Sequence, residues 1–208
     1  SIDDADVIIF NTCSVRAHAE NKVFSQLGRV AELKSRRPDI KVIVAGCMAQ
    51  RLAGELKKRY PVVDLVMGTR RIGDCLRLVK HLAPGAPGVH VDYEVESYPA
   101  RDVTARQNPS QAFVSVMRGC DNFCAYCIVP YVRGRQQSRP ASEILDEVKA
   151  LVDDGVVEIT LLGQNVTAYG RDSGSDVSLA GLLERLQSVE SLRWIKFVTS
   201  HPRDTGDD

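Results

Sequence analysis

Val42-Ile43-Val44-Ala45-Gly46-Cys47 decides how the first part of the chain is read. Four apolar residues in a row, three of them β-branched, are stopped by a glycine. That is the pattern of a strand buried on both faces. Upstream, Val7-Ile8-Ile9-Phe10 has the same form. Downstream, Val63-Asp64-Leu65-Val66-Met67 repeats it before Gly68. Helical spacing fills the gaps. Val23, Leu27 and Val30 recur within residues 17–36, and Pro38 ends that pattern; residues 49–60 run to Pro61. Residues 72–82 are expected to form a third helix with Leu76, Val79 and Leu82 on one face, and Cys75 beside them reads as a packing residue. Alternating strands and helices imply an α/β fold with a parallel, doubly wound sheet over residues 1–83.

Working outward, residues 84–110 change character. Pro84-Gly85-Ala86-Pro87-Gly88, Tyr98-Pro99 and Asn108-Pro109-Ser110 cannot sustain a helix, so this stretch reads as a linker with one edge strand near residues 89–95. A second series begins at Ala112-Phe113-Val114-Ser115-Val116. A loop rich in Cys, Gly and Arg follows from Arg118 to Arg139. Residues 141–154 form an amphipathic helix with Ile144, Leu145, Val148, Leu151 and Val152 on one face, and Gly155 as its C′ residue. A strand over 156–162, a helix over 179–189 and a strand over 194–199 complete it, with Trp194 and Phe197 expected in the core. Residues 111–208 thus read as the opening of a (β/α) barrel, too short for a closed one of about 250 residues.

The 208 residues carry 27 basic and 27 acidic side chains, and 44% are hydrophobic. This composition excludes a disordered chain. No apolar run approaches the ~20 residues of a membrane span, and the acidic start Ser1-Ile2-Asp3-Asp4 is not a signal peptide, so a cytoplasmic location without membrane contact is expected. The start without methionine and the abrupt end suggest a piece of a longer protein. Charge is uneven: residues 101–140 carry +4 and residues 141–208 carry −7. The basic stretch suits a phosphate-bearing partner and equally suits solvated surface arginines.

That basic stretch holds Cys120-Asp121-Asn122-Phe123-Cys124-Ala125-Tyr126-Cys127. Three thiolates on one loop can hold three corners of a soft metal centre. A structural zinc site needs four ligands, and no histidine lies between His90 and His201. The count favours an iron–sulfur cluster with one iron left open. Cys13 and Cys47 each follow a predicted strand. The carboxyl ends of parallel strands gather on one edge, so both would face one site. A cysteine in that position is also common as plain core.

From Met117 through Tyr131 the chain resembles the cluster loop of radical SAM enzymes. Its continuation through Val132-Arg133-Gly134-Arg135 and Ser138-Arg139-Pro140 is similar to the methylthiotransferases. The resemblance implies a flavodoxin-like N-terminal domain followed by the first part of a radical SAM partial barrel. It implies that Cys120, Cys124 and Cys127 bind a 4Fe–4S cluster whose open iron chelates S-adenosylmethionine, with Tyr126 near the adenine. Asn11-Thr12-Cys13-Ser14-Val15-Arg16 and Ala45-Gly46-Cys47-Met48-Ala49-Gln50 resemble the family's N-terminal domain, where three cysteines hold an auxiliary 4Fe–4S cluster. Cys13 and Cys47 match two of them; the third belongs upstream of residue 1.

Leu161-Leu162-Gly163-Gln164-Asn165-Val166 resembles the tRNA-modifying, MiaB-like branch, whose members methylthiolate C2 of N6-isopentenyladenosine beside the anticodon. Gly163, Gln164 and Asn165 become cofactor-site candidates, and Arg133 and Arg135, with Arg139, candidates for cofactor carboxylate or tRNA phosphate. The implied partners are tRNA, a reducing electron donor and a sulfur source. Three alternatives stand beside this reading: a methylthiotransferase acting on a ribosomal protein, one acting on another tRNA adenosine, and a non-catalytic iron–sulfur electron-transfer or structural module. His201 ends a predicted barrel strand and would point toward the site, though a single histidine is more often structural.

Overall fold

The structure is a computed structural model and describes residues 2–14, 17–82, 88–92, 108–172 and 177–205. It divides into two compact units, residues 1–99 with 131–133, and residues 100–130 with 134–208. Most of the expected linker lies outside the described residues.

In the first unit, β1 (Val7–Thr12), β2 (Lys41–Gly46), β3 (Leu65–Met67) and β4 (Val89–His90) form a parallel sheet in that order. The edge strand expected after residue 88 is β4. Helix α1 (Ala17–Arg36) links β1 to β2, α2 (Cys47–Arg59) links β2 to β3, and α3 (Cys75–Lys80) links β3 to β4. Alternation along the strands sends Val42, Val44 and Val66 to one face, where they pack with Leu27 and Val30 of α1 and Met48 and Leu56 of α2. Ile43, Ala45, Leu65 and Met67 go to the other face and meet Cys75, Leu78, Val79 and Leu82. Helices therefore cover both faces, as a doubly wound sheet requires.

The third helix corrects one expectation. Leu76 is 77% exposed, and Leu78 takes the inner place. A tight 3-10 turn over Ile72–Asp74 precedes α3, and the inner set 75, 78, 79, 82 is the full i, i+3, i+4, i+7 stripe. Leu76 sits off that stripe. Cys75 packs as expected. The basic end of α2 does more than complement the helix dipole: the Arg59 guanidinium lies over the rings of Phe24 and Tyr60, which stack at 5.3 Å.

In the second unit, β5 (Gln111–Ser115), β8 (Glu158–Leu162) and β9 (Trp194–Phe197) form a parallel sheet in the order β5-β8-β9. Helix α5 (Ala141–Asp153) joins β5 to β8 across the cysteine loop, and α6 (Leu179–Gln187) joins β8 to β9. Ala112, Val114, Ile159 and Leu161 pack against Ile144, Val148 and Leu151 of α5 and Leu182 and Leu186 of α6. Gly155, at φ +90, follows α5 as its C′ residue. The core expectation fails for Trp194, 63% exposed, and Phe197, 44% exposed. Among the described residues β9 pairs on one side only, and Trp194, opposite Glu158, lies on the sheet face away from α5 and α6. The loop read as irregular contains further elements: an antiparallel ribbon of β6 (Met117–Arg118) with β7 (Gln137–Ser138), and helix α4 (Val129–Arg133).

Candidate functional site

In the first unit the register of β1 on β2 places the cysteines. Thr12 pairs with Gly46, so Cys13 and Cys47 are the residues just past two neighbouring strand ends. Thr12 Oγ1 donates to the Ala45 carbonyl at 2.6 Å and binds the strand ends together. Gly46, at φ +96, lets the chain turn directly into α2, and a Cβ there would strike the Thr12 carbonyl. Cys13 is exposed and Cys47 buried. Val15 and Arg16 lie outside the described residues.

In the second unit the cysteine loop follows β5 and β6. It is held at its start, where the Gly119 N–H donates to Gln164 Oε1 at 2.7 Å and the Cys120 N–H donates to the Gly134 carbonyl. Gly119, at φ +74, passes so close to the Arg135 carbonyl that a side chain would not fit. The Cys127 N–H closes a turn on the Cys124 carbonyl. Burial pushes the Cys120 thiol above its ordinary value, against the Asn122 backbone hydrogen bond, and the neighbouring Cys127, Cys124 and Asp121 add to the rise. Among the described residues no three His, Cys, Asp or Glu side chains converge to hold a single metal ion. A cubane asks something different, since each of its thiolates holds a separate iron. Three thiols on one loop, with no other cysteine after residue 75, fit such a cluster with one iron unclaimed by protein.

Below the loop lies a knot that the sequence did not announce. Asp204, 9% exposed, accepts from Asn122 Nδ2 at 2.8 Å and Asn165 Nδ2 at 2.6 Å, and pairs with Arg171. Burial would raise its carboxyl, but the hydrogen bonds from Asn122 and Asn165 and the charge of Arg171 hold it below the usual range. One carboxylate thereby joins the middle of the cysteine loop, the end of β8 and the 3-10 turn Pro202–Asp204 after β9. A polar cavity of about 220 Å³ opens beside it, lined by Asp121, Gln136, Arg171, Asp172 and Arg203 among others. His201, at the head of that turn, places Nε2 3.4 Å from Cys124 Sγ. The contact spans 77 positions, so nothing local in the sequence could show it.

The other candidates fall into place around this. Tyr126 is 91% exposed. Gly163 gives its carbonyl to Thr199 Oγ1 at 2.8 Å. Gln164 anchors Gly119, and buried Asn165 engages Asp204 with Nδ2 and Thr167 with Oδ1. Arg133 closes α4. Arg135 pairs with Asp121 at 2.9 Å and lies over the Phe123 ring. Arg139 is partly buried and bonded to the Ser115 carbonyl and Glu147.

Residues 114–208 match the radical SAM superfamily. Residues 1–68 match UPF0004, an uncharacterized protein family. The chain is 48% identical, over 97% of its length, to a tRNA-2-methylthio-N(6)-dimethylallyladenosine synthase of Moorella thermoacetica, of which it covers 46%. It is 45% identical over 99% of its length to the enzyme of the same name from Hydrogenobaculum sp., covering 48%. The chain thus spans about half the length of the curated relatives it matches. Among solved structures it resembles a radical S-adenosylmethionine methyltransferase, TsrM, from Kitasatospora setae, with TM-score 0.54 and 14% identity over 87% of this chain and 39% of that one. That likeness concerns the fold. A radical SAM domain implies a 4Fe–4S cluster and S-adenosylmethionine. No helix among the described residues is long and apolar enough to cross a membrane.

Proposed function

We propose that this chain is part of a tRNA methylthiotransferase that works on N6-isopentenyladenosine, adding a methylthio group at C2. The observation that carries the reading is the loop of Cys120, Cys124 and Cys127, held to the chain past β8 by the Gly119–Gln164 bond and to the turn after β9 by the Asn122–Asp204 bond. The names of relatives at 44–48% identity supply the substrate class. Cys120, Cys124 and Cys127 would hold the cluster; Cys13 and Cys47, one residue past paired strand ends, would hold two corners of an auxiliary one. When bound, the radical SAM cluster supplies the electron that cleaves S-adenosylmethionine to a 5′-deoxyadenosyl radical. Tyr126, exposed beside Cys127, would cover the adenine, and the Gly163–Asn165 strand end would face the methionyl part. Arg133 and Arg135 would meet tRNA phosphate. A reducing electron donor, a sulfur source and a cytoplasmic location belong to the same proposal.

The test is anaerobic reconstitution with iron and sulfide, followed by EPR of the reduced chain with and without S-adenosylmethionine. A cluster signal that changes on adding the cofactor, and is lost in Cys124→Ala, is expected. A signal indifferent to the cofactor, or tight zinc in place of iron, would overturn the reading and favour an electron-transfer or structural module.

A further inference from the structure

The contact between His201 and Cys124 has a direction that the backbone determines. The N–H of Arg203 donates to His201 Nδ1 at 3.2 Å. An imidazole nitrogen that accepts a hydrogen bond carries no proton, so in the neutral ring the proton sits on Nε2. Nε2 is the atom facing Cys124 Sγ at 3.4 Å, within range of an N–H···S hydrogen bond.

The ring is held there from several sides. The His201 N–H donates to Thr167 Oγ1 at 3.4 Å, and the His201 carbonyl accepts from the Asp204 N–H at 2.9 Å and from Thr205 Oγ1 at 3.1 Å. Asp204 ties the same turn to Asn122, midway between Cys120 and Cys124. Upstream of the turn, Thr199 adopts φ +69, a region that disfavours β-branched residues. Its carbonyl accepts from the Val166 N–H at 2.7 Å and its hydroxyl grips Gly163, which holds the strained bend against the end of β8. The turn after β9 is therefore built to present one imidazole N–H to one thiol.

We propose that His201 donates a hydrogen bond from Nε2 to the Cys124 thiolate and so raises the reduction potential of the cluster that Cys120, Cys124 and Cys127 hold. The inference rests on the radical SAM reading of that loop. Reduction adds negative charge to the cluster and its sulfur ligands. A donor aimed at one sulfur stabilises the reduced form more than the oxidised one. His201 is a positioning residue in this scheme: it acts through Cys124, and the open iron stays free for the cofactor.

Two measurements test it. In the metal-free chain, NMR of ¹⁵N-labelled histidine reads the tautomer of His201. The Nε2-protonated form is expected; the Nδ1-protonated form overturns the proposal. In the reconstituted chain, EPR-monitored titration gives the midpoint potential of the wild type, His201→Leu and His201→Gln. Leucine removes the donor and glutamine returns an amide N–H to nearly the same place. His201→Leu is expected to disfavour the reduced cluster about tenfold, which for a one-electron couple is a shift of 59 mV to more negative potential. His201→Gln is expected to recover most of it. Equal potentials in all three loaded proteins would overturn the hydrogen bond and leave the cluster reading intact. A wild type that takes up no iron at these cysteines would overturn both. Should His201→Leu alone lose the cluster, the tautomer decides.

Discussion

At Gly46 a single added carbon has no room. Its φ of +96 and the Thr12 carbonyl against its Cα leave no room for a side chain, and Cys47 is the next residue. Gly46→Ala is expected to cost about 1–3 kcal/mol of stability in urea denaturation, the cost of a strained backbone position. The cysteines also differ one by one. Cys13 is exposed, whereas Cys75 is partly buried under the sheet and burial pushes its thiol upward. The thiolate is the reactive form. In the metal-free chain at neutral pH, iodoacetamide followed by mass mapping is expected to label Cys13 well before Cys75; the reverse order would contradict the packing role of Cys75.

At the scale of elements, Asp172 fastens the β6–β7 ribbon to the chain beyond β8. It accepts from the Ser138 N–H at 2.8 Å, from the Ser138 hydroxyl and from Gln136 Nε2 at 3.0 Å. Burial would raise its carboxyl, but the Ser138 and Gln136 hydrogen bonds hold it below the ordinary value. The stabilisation is therefore fully present above the unfolded carboxyl's pKa of about 3.9 and fades as pH falls through the lower folded value. Asp172→Asn is expected to lower the Tm at pH 7 by an amount that shrinks toward zero as the pH is taken below 3. An unchanged difference across that range would show that the carboxylate's charge plays no part.

The same element shows what local sequence can and cannot reveal. The strands and helices of both sheets followed from short-range pattern, because burial on a strand or helix face repeats every two or 3.6 residues. Residues 17–36 were legible to the residue as α1. The β6–β7 ribbon was not, because two-residue strands carry no period. Trp194 and Phe197 misled because hydrophobicity tells that a residue is apolar, not which strand of a sheet is left at its edge. The three loop cysteines stood out by their spacing and by the family resemblance of the residues around them, which is why they head the proposed site. His201 was suspected from its place at a strand end. Asp204, Asn122 and Arg171 were invisible, since their bonds cross 33 to 82 positions.

For the molecule as a whole, among the described residues the first unit has a core around Val44 and Leu27 and the second unit one around Ile159 and Ile144. Ile144→Ala, which removes a fully buried side chain from the second, is expected to cost about 2–5 kcal/mol. Amide hydrogen exchange should then show faster exchange in β5 and β8 with β2 and β3 unchanged. Loss of protection in both sheets would mean that the units unfold as one. Along the chain the charge is uneven, with the cysteine loop and its arginines in the +4 stretch of residues 101–140 and the −7 stretch following in residues 141–208.

The long reach from Cys124 to His201 also has a consequence in time. A ribosome adding about 5–20 residues each second needs roughly 4–15 s to travel those 77 positions. Through that interval the three thiols have been made but the histidine and the Asp204 carboxylate that brace them have not. A nascent chain therefore exposes an unbraced, oxidisable loop before it can complete it, and early capture of iron, or of oxidant, would meet the loop in that unfinished form.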